Sequence, residues 1–206
     1  MFTGIITDVG TVEAVEARGD TRVRIGTAYD TASVDLGASI ACSGVCLTVV
    51  DKSAAGGPGW FAVDVSGETL SRTADQWRAG ARLNLERAMK LGDELGGHIV
   101  TGHVDGVGEV LTVRPDGDSR RIGFRVDAGI APFLAPKGSI TIDGVSLTVN
   151  EVTDGDDGTR FTVNVIPYTQ AATTLGGLSE GARVNVEIDV LARYLRRMEQ
   201  YRAPTR

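Results

Sequence analysis

Cys46, His103, Ser146 and Thr148 are the residues of this chain whose side chains could carry out chemistry. A thiol or a hydroxyl can act as a nucleophile and an imidazole as a general base, provided that each lies beside a bound substrate. Taken singly, a cysteine is more often a small buried hydrophobic residue and a histidine a satisfied structural group. These four residues are selected by their places in a sequence that repeats itself.

The chain contains two copies of one pattern, about one hundred residues apart. Ser39–Val50 and Ser139–Asn150 are identical at seven of twelve positions, and further matching stretches precede and follow them. These stretches are Phe2–Gly10 with Val100–Gly108, Phe61–Val65 with Phe161–Val165, and Gly80–Glu86 with Gly181–Glu187. The repeat predicts two similar domains, at residues 1–90 and 97–188, joined by a short linker between Arg87 and Gly97.

The two copies differ at chemically important positions. Cys46 stands where the second copy has Ser146, and His103 stands where the first copy has Ile5. A threonine recurs two residues after Cys46 and Ser146 and alternates with apolar residues, which predicts a strand with one face in the core and a polar face outside. We interpret the polar faces as the walls of two similar pockets. The structural alternative is that threonine simply favours strands.

Short β-branched stretches separated by Gly, Asp and Ser predict antiparallel β-structure in both copies. Asp143-Gly144 is a strong two-residue hairpin signal and Ser43-Gly44 is its weaker twin. Either a sandwich or a closed barrel accommodates such strands. We favour two tandem, six-stranded Greek-key antiparallel β-barrels plus a C-terminal α-helix. The predicted strands include Thr21–Ile25, Trp60–Val65, Arg120–Val126, Ser139–Ile142 and Phe161–Ile166, and the predicted hairpin tips are Ala54–Gly59 and Asp154–Gly158.

The last segment, residues 189–206, predicts a helix that Asp189 can cap. Leu191, Tyr194, Leu195 and Met198 recur at the helical period and form an apolar stripe. A single helix of about three turns is marginal by itself, so the stripe must pack on the chain's own barrels or on a partner subunit.

Composition excludes several classes of function. The net charge of −6 provides no basic surface for nucleic acid. No apolar run is long enough to span a membrane, and the first residues do not resemble a signal peptide, so we expect a cytoplasmic protein.

Cys42 and Cys46 flank a predicted hairpin and point to opposite faces, which disfavours a disulfide. With only two histidines and no cysteine cluster, no metal site is predicted, and no nucleotide-binding motif is present.

Four motifs resemble the signatures of the riboflavin synthase family of the α-chain type. They are MFTGI at Met1–Ile5, GVCLTV at Gly44–Val49, GGHIVTGHVDG at Gly96–Gly106 and DGVSLTV at Asp143–Val149. The match covers nearly the whole chain, with the motifs in the family's order.

The resemblance implies a reaction in which two molecules of 6,7-dimethyl-8-ribityllumazine exchange a four-carbon unit. The products are riboflavin and 5-amino-6-ribitylaminouracil, in the last step of riboflavin biosynthesis, without a cofactor. It also implies a homotrimer held together by the C-terminal helices, with each active site between two subunits and two lumazines in each site. Lumazine synthase is a further partner that the family suggests. The rival interpretation is a lumazine or flavin carrier of the same fold that does not catalyse, such as an optical antenna protein.

By resemblance, Cys46 serves the ligand of the first barrel, whereas His103, Ser146 and Thr148 serve the ligand of the second. The expected substrate-binding residues of the first barrel are Gly4, Ile5, Ile6, Cys46, Leu47, Thr48, Asp64, Val65, Ser66, Gly67, Glu68 and Thr69. Those of the second barrel are Gly102, His103, Val104, Lys137, Ser146, Leu147, Thr148, Val165, Ile166, Pro167, Tyr168, Thr169 and Gln170.

Overall fold

The computed structural model describes residues 1–54 and 59–202, which contain two closed six-stranded antiparallel barrels. In the first barrel the strand order is β1-β2-β5-β4-β3-β6, a Greek-key order in which β6 returns to pair with β1. Its strands are β1 Asp8–Ala17, β2 Thr21–Gly26, β3 Ser39–Cys42, β4 Val45–Lys52, β5 Trp60–Val65 and β6 Arg82–Arg87.

The second barrel repeats this topology strand for strand, and it closes through the pairing of β12 with β7. Its strands are β7 Gly106–Asp116, β8 Ser119–Val126, β9 Ser139–Ile142, β10 Val145–Gly155, β11 Gly158–Val165 and β12 Arg183–Ile188. The chain also has three α-helices, which are α1 Gly67–Arg72, α2 Pro167–Ala172 and α3 Val190–Arg202. Short 3-10 helices occur at Thr31–Ser33, Ala131–Phe133 and Thr174–Gly177. The expectation of two barrels and a C-terminal helix is confirmed.

Both predicted hairpins are present. Ser43 and Gly44 have φ angles of 46° and 80°, and Asp143 and Gly144 have 45° and 81°, as a turn with two left-handed residues requires. Cys42 pairs with Val45 across the first hairpin, and the two cysteines are not bonded to each other. The predicted tip at Asp154–Gly158 joins β10 to β11. The other predicted tip, Ala54–Gly59, lies largely outside the described residues.

Each barrel encloses its own core. Along β4, Leu47 and Val49 are 7% and 1% exposed, whereas Thr48 between them is exposed, so the predicted alternation is confirmed. In the second core Phe124 stacks on Phe161 with ring centroids 5.3 Å apart. Burial of these apolar side chains stabilises each barrel and turns the polar side chains of β4 and β10 outward.

The barrels meet through reciprocal contacts, which give the interface an approximate two-fold symmetry. The N–H of Phe2 donates to the carbonyl of Val100 over 2.7 Å, and the N–H of Val100 donates to the carbonyl of Phe2 over 3.0 Å. The hairpin turns touch as well, since a Cβ added to Gly44 would lie 2.8 Å from the backbone N of Gly144.

Helix α3 follows the second barrel, and the Oδ1 of Asp189 accepts the N–H of Leu191 over 2.9 Å at its start. The side chain of Arg193 forms an ion pair with Asp105 at 2.8 Å, which ties the first turn of the helix to the second barrel. The apolar stripe of the helix is nevertheless exposed. No helix within the described ranges is long and apolar enough to cross a membrane.

Candidate functional site

The outward faces of β4 and β10 present the predicted reactive groups in matching positions. Cys46 is half-buried and Thr48 is exposed on β4, and Ser146 is half-buried and Thr148 is exposed on β10. The two faces differ in one respect, since the first carries a thiol where the second carries a hydroxyl. We call the face of β4, with the opening segment that lies against it, the first pocket. The face of β10, with the opening segment that lies against it, is the second pocket.

The opening segment of each copy lies against the pocket strand of the other barrel. The N–H of Ser146 donates to the carbonyl of Gly4, and the N–H of Cys46 donates to the carbonyl of Gly102, both over 2.8 Å. Farther along these segments, Ile6 packs against the core of the second barrel and Val104 against that of the first. We expected each segment to serve its own barrel, whereas the structure places residues 4–6 against the second barrel and residues 102–104 against the first.

Close contact explains why both segments carry glycine at this point. Gly4 and Gly102 have φ angles of +77° and +78°, which L-residues with a side chain rarely adopt. A Cβ at Gly4 would lie 2.6 Å from the Cβ of Ser146, and one at Gly102 would lie 2.6 Å from the Cβ of Cys46. The Thr-Gly pair that opens each copy is therefore a requirement of the contact between segment and strand.

Two buried carboxylates hold the opening segments in place. Glu86 accepts the backbone N–H of Thr3 over 2.6 Å, its hydroxyl over 2.8 Å and the N–H of Gly4 over 2.9 Å. Glu187 accepts the N–H and hydroxyl of Thr101 and the N–H of Gly102 over 2.7, 2.6 and 2.9 Å. Burial raises the pKa of both carboxyl groups, and the hydrogen bonds that they accept oppose this rise.

His98 is the histidine that contacts Ser146. Its Nδ1 lies 2.7 Å from the Oγ of Ser146 and its Nε2 lies 3.2 Å from the Oγ1 of Thr141. Burial lowers the pKa of His98, which favours the neutral imidazole with one donor and one acceptor nitrogen. A neutral imidazole bonded to a hydroxyl can take up and return a proton.

His103 lies elsewhere than we expected. It is exposed and follows Gly102, the residue whose carbonyl contacts Cys46, so the structure places it beside the first pocket. No hydrogen bond joins its side chain to Ser146 or Thr148 within residues 1–54 and 59–202. His98 is therefore the histidine in contact with Ser146, and the role expected of His103 stays a prediction.

The far wall of the first pocket starts at the end of β5. Asp64 forms a two-pronged ion pair with Arg22 over 2.9 and 3.0 Å, and hydrogen bonding to Arg22 lowers the pKa of the Asp64 carboxyl. Val65 is buried, whereas Ser66 caps α1 through the N–H of Thr69 at 3.2 Å. Gly67 and Glu68 are exposed at the start of this helix.

The matching wall of the second pocket is more apolar. Val165 is buried, and Ile166, Pro167 and Tyr168 are exposed at the start of α2. Gln170 turns back to the strand and donates to the carbonyl of Val165 over 2.8 Å, so this amide is occupied by backbone.

Lys137 occupies an unusual conformation beside the second pocket. Its φ is 69°, where the first copy has Gly37 with a φ of 85°, and the N–H of Lys137 donates to the carbonyl of Val149 over 2.8 Å. A lysine whose backbone is held in the left-handed conformation that suits glycine is a reason to look for a function at this position.

Comparison with known proteins agrees with the duplicated architecture. The lumazine binding domain family matches the chain twice, over residues 3–88 and 101–189. Two closed barrels that each match this domain define the chain as a duplicated lumazine-binding protein.

Relatives of similar length specify the family. The riboflavin synthase of Brucella abortus (strain 2308) is 48% identical over 204 residues, which cover 98% of this chain and 99% of the relative. Those of Photobacterium phosphoreum and Bacillus subtilis (strain 168) are 45% and 37% identical, covering 96% of this chain and 88% and 89% of the relatives. The chain belongs to the riboflavin synthase family.

Solved structures with the same fold contain bound ligands of the expected type. LumP complexed with riboflavin superposes with a TM-score of 0.77 at 27% identity, covering 91% of this chain and 99% of LumP. LumP complexed with 6,7-dimethyl-8-(1'-D-ribityl) lumazine gives a TM-score of 0.76 at 25% identity over the same shares.

Sequence reasoning missed four polar residues that the structure brings to the pockets: His98, Glu86, Glu187 and Asn164. Asn164 is the twin of Asp64 in the repeat, and its Oδ1 is buried without a hydrogen-bond partner in the described part of the chain. The signal for the two glutamates was their recurrence as Asn-x-Glu at the end of each copy. His98 precedes the repeated segment, so no comparison of the copies could have selected it.

Proposed function

We propose that this protein is a riboflavin synthase, which converts two molecules of 6,7-dimethyl-8-ribityllumazine into riboflavin and 5-amino-6-ribitylaminouracil. The observation that carries the proposal is the pair of matched pocket faces on duplicated barrels, with Cys46 on one and Ser146 with His98 on the other. Two similar pockets suit a reaction whose two substrates are the same molecule. Relatives named riboflavin synthase, matched over nearly their whole length, support the same conclusion.

The reaction transfers a four-carbon unit from one lumazine to the other, so the atoms of the two substrates equal those of the two products. The electron-poor ring of the lumazine acidifies its C7 methyl group and accepts a nucleophile at C7. The protein then has to remove and return protons and to hold the two rings in contact. Favourable orientation alone can lower such a barrier by about 7–11 kcal/mol at best.

The proposed division of labour follows the chemistry of each pocket. Cys46 is the candidate nucleophile or proton relay of the first pocket, with exposed His103 beside it. The His98–Ser146 pair, with Thr148 on the same strand, is the candidate proton-transfer group of the second pocket. On neighbouring β11, the buried side-chain oxygens of Asn164 and Thr162 have no hydrogen-bond partner among the described residues. They support the binding of a polar ligand beside this pocket, because buried oxygens without partners are rare.

The chain forms the trimer that the family suggests, with residues 1–90 and 97–188 as lumazine-binding barrels and 189–206 as the assembly segment. Exposed Leu195 and Met198 on α3 support this assembly, since they are 63% and 51% exposed in the single chain. Exposure of Thr48 and Thr148 supports active sites completed by a neighbouring subunit, with two lumazines bound in each. A cytoplasmic location is supported by the two free thiols, and lumazine synthase is the proposed further partner.

Incubation of the purified protein with 6,7-dimethyl-8-ribityllumazine alone tests the function, with riboflavin formation followed by absorbance. We expect two lumazines to be consumed for each riboflavin formed, without added cofactor. Cys46→Ala serves as the comparison and should form riboflavin at least tenfold more slowly. Tight binding of lumazine without turnover by the wild type would contradict the proposal and favour the carrier.

A further inference from the structure

Strands β6 and β12 lie where the two barrels meet, and each carries two buried polar side chains on the face turned away from its own core. On β6, Asn84 and Glu86 are 0% and 5% exposed, and on β12, Asn185 and Glu187 are 1% and 2% exposed. The residues that alternate with them, such as Leu83 and Leu85 on β6, belong to the core of their own barrel. Polar groups buried to this extent require hydrogen-bond partners, so their partners reveal what they hold in place.

Each glutamate is connected to the pocket strand of the opposite barrel through one intervening glycine. Glu86 of the first barrel fixes Thr3 and Gly4, and the carbonyl of Gly4 then accepts the N–H of Ser146 on β10 of the second barrel. The second copy repeats this connection in the opposite direction: Glu187 fixes Thr101 and Gly102, whose carbonyl accepts the N–H of Cys46 on β4 of the first barrel.

The asparagines reach the segment that follows the pocket helix of the opposite barrel. The Oδ1 of Asn84 accepts the N–H of Thr174, just after α2, over 2.8 Å. The Oδ1 of Asn185 accepts the N–H of Ala74, just after α1, over 2.7 Å. Each asparagine also donates to the hairpin turn of the opposite barrel, Asn84 to the carbonyl of Asp143 and Asn185 to that of Ser43.

We propose that β6 of the first barrel positions the second pocket and that β12 of the second barrel positions the first, with Glu86 and Glu187 as positioning residues that act across the interface. That these faces bind ligand rests on the proposed function, whereas the crossed arrangement rests on the hydrogen bonds alone. A carboxylate suits the task because it is acceptor-only and can serve three N–H and O–H donors at once.

Glu86→Gln and Glu187→Gln test the crossed arrangement with almost no change of shape. A glutamine replaces one acceptor oxygen by an NH₂ group, which then faces a backbone N–H that needs an acceptor. The measurement is amide hydrogen exchange at Ser146 and Cys46, observed by NMR on the full ligand-free chain. Glu180→Gln on the exposed surface has the same change of charge and is the matched control.

In Glu86→Gln we expect exchange at Ser146 to accelerate at least tenfold and exchange at Cys46 to stay within about twofold of wild type. Glu187→Gln should give the reverse. Acceleration only of the amide in the same barrel as the substituted glutamate, or of both amides equally, would overturn the proposal. Should either variant fail to fold, Thr3→Val and Thr101→Val each remove the hydroxyl that donates to the glutamate and should give the same crossed pattern with a smaller amplitude.

Turnover of the same variants separates positioning from the mere anchoring of a loop. Both glutamine variants should form riboflavin at least tenfold more slowly than wild type and Glu180→Gln. Crossed exchange with unchanged turnover would contradict a role in positioning the pockets. If wild-type protein forms no riboflavin, the proposed function fails, and the exchange experiment still decides whether the strands act across the interface.

Discussion

His98 has the geometry of a proton carrier more fully than any other side chain of the two pockets. It is half-buried, it contacts the hydroxyl of Ser146 at 2.7 Å, and its second nitrogen is oriented by Thr141. A base that is itself oriented by a third group is the usual arrangement in sites that activate a hydroxyl or move a proton. The contact with Thr141 thus holds the ring so that Nδ1 faces the hydroxyl of Ser146.

His98→Gln should keep hydrogen-bonding groups near Ser146 and Thr141 but abolish proton exchange. We expect riboflavin formation to fall about 10²–10⁴-fold, the range for loss of a general acid or base, with riboflavin affinity within a few fold of wild type. Because burial lowers the pKa of His98, wild-type turnover should fall as the pH drops below the ordinary histidine range, and the variant should lack this acid limb. His103→Gln is the matched comparison. A loss confined to the His103 variant would remove His98 from the mechanism.

The buried carboxyl of Asp143 should make the free energy of unfolding depend on pH. Burial raises the pKa of its carboxyl from 3.8 to about 7, and its Oδ1 accepts the N–H of Asn185 over 2.7 Å. Because the native state holds this proton more tightly than the unfolded state, the stabilisation is complete below about pH 4 and is lost as the pH rises towards about 7. The loss is at most about 1.4 kcal/mol for each pH unit. Asp143→Asn keeps the acceptor oxygen and tolerates the turn, so its stability should not follow this decline.

Denaturant unfolding of wild type and Asp143→Asn between pH 4 and 8 measures the effect. The difference in free energy of unfolding should move in favour of the variant between pH 4 and about 7 and should then level off. Parallel profiles for the two proteins would show that Asp143 keeps an ordinary pKa.

At the scale of elements, the sequence was informative wherever a local pattern decides the structure. Asp143-Gly144 predicts its hairpin because both positions need left-handed backbone, and Leu47-Thr48-Val49 predicts which face of β4 is buried. Each barrel also closes as expected, although periodicity alone did not distinguish a closed barrel from a sandwich. The repeat supplied the domain pattern and the paired pocket strands.

The partners of these elements could not be predicted, because they depend on how the two barrels meet. The family resemblance assigns Gly4 and Gly102 to their own barrels, whereas the two-fold contact places each against the pocket strand of the other barrel. The same contact buries Glu86 and Glu187, which a single strand would present to solvent. A duplicated sequence reports what the copies share and carries no information on the exchange of segments between them.

At the scale of the whole molecule, the apolar stripe of α3 is the clearest sign of assembly. Leu191, Tyr194 and Leu195 are 62%, 65% and 63% exposed, and the helix is attached to its own barrel at its first turns through Arg193 and Asp105. Asp105 closely follows the opening segment of the first pocket, so α3 begins near a pocket and its stripe is free to contact another subunit. A row of exposed apolar side chains along one helix is typical of a protein interface.

Leu195→Arg places a charge in the middle of this stripe and should convert the proposed trimer into monomers, as measured by sedimentation at several concentrations. The barrels should remain folded, because Leu195 contributes nothing to either core. Riboflavin formation should fall at least a hundredfold, since two pockets of different subunits would no longer face each other, and lumazine binding should weaken less than turnover. Arg196→Leu is the matched control for a change of charge on the same helix and should stay trimeric. A monomeric Leu195→Arg protein with full turnover would show that one chain completes the active site alone.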